Sequence, residues 1–188
     1  GSRITYSQGF GVGNRKIELI GEGYFEVKRN EEVPFLVKTN SLLVKVLGTK
    51  FNFRDYPDDA EAIVSLSEGK VALNNLLKKE KEAFLLPNER VVLNKKNGRM
   101  HVEYSTVSNA LQWTNGYLFF DEELLPDVVK ELERSYNVKI QIASDTLNTF
   151  RFYGNFVHRE QNIQEVLEAL SATRKIHYII EGHNITLY

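Results

Sequence analysis

The chain has no cysteine, one methionine, one tryptophan and four prolines in 188 residues. Without cysteine it has no disulfide framework, no thiolate zinc site and no cysteine nucleophile. That absence leaves the compartment open, since a chain long enough to build a core needs no disulfides in an oxidising environment. A surplus of one charge sign is also missing: 24 Lys and Arg face 25 Asp and Glu, for a formal charge of −1. With no basic excess to neutralise phosphates, nucleic-acid binding loses its main driving force. No apolar run reaches the ~18 residues of a membrane-spanning helix, and no basic, apolar, small-residue leader opens the chain. The initial Gly1-Ser2 reads as a cloning remnant, so any anchor of the parent protein is expected upstream of Arg3. What is present is an ordinary apolar fraction, 42%, which is enough for a packed core.

From Lys16 to about Tyr104, apolar and polar residues alternate in short runs such as Tyr24-Phe-Glu-Val27, Leu42-Leu-Val-Lys-Val-Leu47 and Arg90-Val-Val-Leu93. A period of two is that of half-buried strands, and no helical period interrupts it. One local pattern recurs: Leu19-Ile-Gly-Glu-Gly-Tyr-Phe25, Val46-Leu-Gly-Thr-Lys-Phe51, Leu66-Ser-Glu-Gly-Lys-Val71 and Leu86-Pro-Asn-Glu-Arg-Val91. Each reads as a strand, a sharp Gly or Asn turn and another strand, as stacked coils or a meander require. Residues 1–110 are therefore expected to form an all-β domain, either a solenoid-like stack or a twisted sandwich.

From Trp113 the pattern changes. Tyr117 to Phe120 reads as a strand, after which Leu125, Val128, Val129, Leu132 and Tyr136 recur at helical spacing, with Pro126 in the first turn. Asp121, Glu122, Glu123 and Asp127 suit the positive end of that helix, and Asn137 marks its stop. Val138, Ile140 and Ile142 alternate as one strand, and Phe150, Phe152, Gly154 and Phe156 as another. Asn162-Ile-Gln-Glu165 has the spacing of a capping box, opening a helix with Ile163, Val166, Leu167 and Leu170 on its apolar stripe. Lys175–Ile180 and Asn184–Leu187 then close as a hairpin about Glu181-Gly182-His183. This order, β-α-β-β-α-β-β, predicts an α+β domain over residues 113–188 with two helices on one face of a small sheet. The segment Arg99 to Gln112 is expected to connect the halves.

The ordered motifs resemble the FecR family of anti-sigma regulators over nearly the whole chain. In the C-terminal half these are Trp113-Thr-Asn-Gly116-Tyr-Leu-Phe-Phe120 and Leu132-Glu-Arg134-Ser-Tyr136-Asn-Val138, with Phe152-Tyr-Gly-Asn-Phe156 beyond them. In the β half they are Gly21-Glu-Gly-Tyr-Phe-Glu-Val27, Pro34-Phe-Leu-Val37, Val46-Leu-Gly-Thr-Lys-Phe-Asn52, Tyr56-Pro-Asp-Asp59 and Leu66-Ser-Glu-Gly-Lys-Val71. Gly23 stands where the family usually has another small residue, and Trp113 stands alone where a tryptophan pair is common. The resemblance implies the periplasmic portion of a single-pass inner-membrane protein. Its sigma-factor-binding cytoplasmic segment and its transmembrane helix would both lie outside this sequence. It further implies a C-terminal domain similar to the secretin and TonB short N-terminal (STN) fold. The implied partner is the signalling domain of an outer-membrane TonB-dependent transporter, and the architecture is that of Bacteroidetes members.

The residues offer no competing chemistry. Gly21, Gly23, Gly48 and Gly69 lack the spacing of a phosphate-binding loop and read as turn residues. Asp58-Asp59 and Glu122-Glu123 are adjacent pairs whose side chains point apart, which is unsuited to acid–base catalysis. His101, His158, His177 and His183 are scattered without metal-ligand spacing. Arg134 reads as part of a solvated helix face beside Glu131 or Glu133. The chain is therefore expected to be a binding protein rather than an enzyme, with no catalytic residues, metal or cofactor. A small open sheet leaves an edge whose unpaired N–H and C=O groups accept a partner strand. The expected edge is the Phe150–Phe156 strand or the terminal Asn184–Tyr188 strand, making Phe150, Phe152, Tyr153, Asn155, Phe156, Ile185 and Leu187 the partner-binding candidates. Trp113, Tyr117 and Phe119 are expected to pack between the domains. The alternative function is a periplasmic carbohydrate-binding sensor.

Overall fold

One strand organises the N-terminal half in the computed structural model, which describes residues 1–104 and 112–188. The chain divides into two units, Gly1–Leu111 and Gln112–Tyr188. In the first, β2 (Lys16–Glu26) pairs through its N-terminal part with β1 (Arg3–Tyr6) and, in parallel, with β3 (Phe35–Lys38). From Gly21 onward it pairs instead with β5 (Lys50–Asp55). Gly21 has φ +99, a conformation that glycine adopts without steric cost, and it lets the strand turn from one layer into the other.

One layer continues through β3 to β4 (Leu42–Val46), β7 (Val71–Asn75) and β8 (Ala83–Leu85). The other runs from β5 to β6 (Glu61–Glu68), β9 (Glu89–Asn94) and β10 (Met100–Tyr104). The chain lays down antiparallel hairpins alternately in the two layers: β3–β4, β5–β6, β7–β8, then β9–β10. Alternation places one side of every strand inside. Val37, Val44, Leu73 and Leu85 from one layer meet Phe51, Phe53, Val64, Leu66 and Leu93 from the other in a single fully buried core. Each of these side chains contributes about 1.5–3 kcal/mol by leaving water.

One pair of alternatives is decided here, and two expectations change. The pairing is antiparallel except between β2 and β3, so the half is a two-layered sandwich and not a stack of parallel coils. The pattern at Gly21–Gly23 is no turn between two strands, because β2 continues unbroken through the bend there. Part of the expected connector is strand β10, paired along its length with β9; residues 105–111 lie outside the described residues.

The second unit begins with a 3-10 turn (Gln112–Asn115) and continues as β11 (Tyr117–Leu124), α1 (Leu125–Tyr136), β12 (Lys139–Ile142) and a second 3-10 turn (Asp145–Thr149). Then come β13 (Arg151–Val157), α2 (Ile163–Ser171), β14 (Tyr178–Glu181) and β15 (Asn184–Leu187). The strands form two sheets, β11–β13 and β12–β15–β14, instead of one. Helix α1 contacts strands of both sheets, so Leu125, Val128, Val129 and Leu132 are covered from two directions, an enclosure that one small sheet cannot provide. The turn after β12 ends that strand before the chain reaches β13, separating the two ladders.

Local signals set the helix ends. Asn137 closes α1 in the left-handed region, at φ 53. At the start of α2 the Glu165 amide donates to the Asn162 side chain (3.1 Å), while the Asn162 amide donates to the Glu165 carboxylate (2.7 Å). The acidic run before α1 is different, because β11 extends to Leu124. Asp121, Glu122 and Glu123 lie on this strand around a bulge, with Glu122 at φ 54, leaving Asp127 as the acid of the first helical turn.

Candidate partner-binding surface

The β11–β13 ladder is a two-stranded ribbon with one buried and one solvated side. Leu118, Phe120, Phe152 and Phe156 point into the core, and the Phe152 and Phe156 rings stack with an interplanar angle of 4°. Gly154 lies between them; a Cβ there would come within 2.6 Å of the Phe152 ring and 2.8 Å of the Phe156 ring. The opposite side carries Tyr117, Phe119, Tyr153 and Asn155. Phe119 stands directly across from Asn155, with Tyr153 on its diagonal. Tyr117 and Phe119 are 39% and 38% exposed, Tyr153 is 58% exposed, and Trp113 in the preceding turn is 39% exposed. The Tyr153 hydroxyl is held protonated beyond its usual range by its hydrogen bond to Glu122, then by burial and by the charges of Glu122 and Asp121.

The expected binding residues thus fall into two groups. Tyr153 and Asn155 lie on the solvated side, whereas Phe152, Phe156, Ile185 and Leu187 are core residues, at most 5% exposed. Phe150 packs against the core, with the Lys175 ammonium over its ring at 5.7 Å. The terminal strand is not an edge. β15 is the central strand of its sheet, parallel to β12 on one side and antiparallel to β14 on the other, so both its ladders are occupied.

The outer edges are those of β11, β13, β12 and β14. Just before β14, His177 exchanges both backbone hydrogen bonds with Tyr188, so on the strand the alternating residues Tyr178 and Ile180 direct their amides and carbonyls outward. This edge escaped the sequence reading, although the hairpin at Gly182 was legible. A hairpin does not say which of its strands will find a second neighbour.

Among the described residues, no three His, Cys, Asp or Glu side chains gather as metal ligands. The acidic pair Asp58-Asp59 is engaged structurally, since Arg54 Nε donates to Asp59 at 2.9 Å. Arg134 and Glu131 face each other at 3.6 Å along α1.

Residues 117–187 match the family model described as FecR, C-terminal, and residues 1–72 match that of the FecR protein. The chain belongs to the FecR family of anti-sigma factors. Two crystal structures of a Parabacteroides distasonis protein assigned as an anti-sigma factor share 32% identity with it. They cover 100% of this chain and 86% of their own, with TM-scores of 0.89 and 0.88. No curated protein matches the chain. FecR proteins form a regulatory class, membrane-anchored and acting in signalling through a sigma factor. Among the described residues here, no helix is long and apolar enough to cross a membrane.

Proposed function

We propose that this chain is the periplasmic signal-transducing portion of a single-pass inner-membrane FecR-type regulator, and that its C-terminal unit is the STN-like domain. It binds the signalling domain of an outer-membrane TonB-dependent transporter and passes the transporter's state to an extracytoplasmic-function sigma factor. The supporting observation is the β11–β13 ribbon. Among the described residues its outer edges carry no further strand, and its solvated side gathers Tyr117, Phe119 and Tyr153 beside Trp113. Exposed aromatics supply contact area at low entropic cost, and an open edge supplies backbone hydrogen bonds; together they suit protein docking. Trp113, Tyr117 and Phe119 extend this surface beyond Tyr153 and Asn155. Transmission requires that the transporter domain bind two states of the regulator unequally.

Calorimetric titration of the purified transporter signalling domain into this chain tests the reading. Phe119→Ser with Tyr153→Ser should weaken binding at least about tenfold while leaving the melting temperature within a degree or two of the parent. Unchanged affinity in a folded double variant would place the contact elsewhere.

A further inference from the structure

The β12–β15–β14 sheet ends at β14 in an edge with no guard against a further strand. Tyr178, Ile179, Ile180 and Glu181 include no proline and no lysine, and their ladder with β15 runs without a bulge. The other three edges of the unit carry such devices: β12 opens on Lys139, β13 opens on Arg151, and β11 is bulged between Phe120 and Glu123. Among the described residues no strand pairs with the outer side of β14, toward which Tyr178 and Ile180 direct their N–H and C=O groups. Ile179 and Ile180 are 50% and 41% exposed on this strand.

Side-chain rows across the sheet stop short at this edge. On the core side the register aligns Ile140, Ile185 and Ile180, of which the first two are buried and the last is half uncovered. On the solvated side it aligns Gln141, Thr186 and Ile179, so a polar row ends on an isoleucine. The sequence of β14 is its own complement. When a second copy of the strand lies antiparallel with the two Ile179 residues opposed, Tyr178 and Ile180 of one copy face Ile180 and Tyr178 of the other, and every outward N–H and C=O is matched. Ile180 then meets Tyr178 of the second copy, which continues the apolar row, and the Ile179 side chains cover each other at the close, non-hydrogen-bonded position. Glu181 lies opposite His177 of the second copy, an acceptor against a donor. Sliding by two residues keeps the backbone bonds but sets Ile179 against Glu181 in one direction and against His177 in the other, so the side chains select the symmetric register.

We propose that β14 is a homodimerisation edge, which pairs antiparallel with β14 of a second copy about a two-fold axis at Ile179 and joins two three-stranded sheets into one. A ladder this short covers less than the ~1,200 Å² of a stable interface, so the association is weak, with a Kd on the order of 0.1 mM. The edge belongs to a different sheet from the ribbon proposed to meet the transporter, and the dimer does not depend on that reading.

Sedimentation equilibrium of the chain alone, from about 10 µM to about 1 mM, tests the dimer and should show a reversible monomer–dimer equilibrium. Ile179→Lys opposes two ammonium groups at the axis, and Ile180→Pro deletes an outward N–H that no strand of the chain uses. Each should weaken dimerisation about tenfold or more and leave the melting temperature within a degree or two of the parent. Disulfide trapping reads the register, since the chain has no cysteine of its own. Ile179→Cys should cross-link to itself on mild oxidation, whereas Glu181→Cys, whose two copies would stand about 13 Å apart, should not. Should Ile180→Pro fail to fold, the lysine and cysteine variants decide the matter. A monomer at every concentration would overturn the proposal, as would equal cross-linking of the two cysteine variants or a dimer untouched by Ile179→Lys. So would a monomeric parent whose binding to the transporter signalling domain is weakened by Ile179→Lys, which would assign the edge to that partner.

Discussion

The ten strands of the first unit form one sheet, nine of them on a single path, whereas the five of the second are divided between two sheets. The first path ends at β8 and β10, with β1 alongside β2; the smaller unit has four outer edges for half as many strands. Interior strands satisfy their backbone on both sides, and edge strands leave half of it for water or a partner. The two units thus invest their polar backbone differently. The sandwich uses its own internally, while the α+β unit keeps strand edges and aromatic side chains available for another protein.

Truncating Phe53→Ala in the sandwich core should cost about 3–5 kcal/mol, since the removed ring was fully buried between the layers. Denaturant unfolding measures it, and a loss below about 1 kcal/mol would show that the layers are loosely packed. In the ribbon the sharpest test is Gly154→Ala. The new methyl would press on two stacked, buried rings, and overpacking of this kind costs about 1–3 kcal/mol. Tolerance of alanine there would mean that the ribbon can shift away from its core. Removing the capping box with Asn162→Ala should cost about 1 kcal/mol, read as a lower melting midpoint.

The smallest effect is a pH slope. The Tyr136 hydroxyl donates to the Gln161 carbonyl at 3.1 Å, and its pKa is raised, first by burial and then by the charge of Glu165. Folding therefore favours the neutral phenol. Its contribution is complete below the unfolded value of about 10 and is lost as pH rises through the higher folded value. Urea midpoints measured from about pH 8 to pH 11 should fall more steeply in the parent than in Tyr136→Phe. Parallel curves would show that Tyr136 is not responsible.

How much of this was legible in the sequence depended on the range of the interaction. Asn137 and the Asn162–Glu165 box act within one helical turn, and both lie where the local pattern placed them. The recurring Gly or Asn pattern was also real, and its last three copies are the points where the chain crosses between layers: β4 to β5, β6 to β7 and β8 to β9. Its first copy makes the same crossing inside the unbroken β2, because Gly21 and Gly23 permit a bend as readily as a turn. Which strands become edges was not legible. Ile185 and Leu187 alternate on their strand just as edge residues would, and only the parallel pairing with β12, some 45 positions earlier in register (Lys139 to Asn184), makes that strand central. The ion pair of Asp55 with Lys95 was missed for a similar reason: it spans 40 positions, and neither neighbourhood carries a motif for it.

The bend in β2 has a consequence for error-proofing. A strand slipped by one residue turns its side chains to the wrong face, and here one strand sets the frame for both layers. Misalignment at Ile17 and Leu19 would carry through to Phe25, exposing apolar groups in two places at once. The sandwich is thereby proofread by a shared ruler: its halves find their alignment together, and neither can melt while the other keeps all of its neighbours.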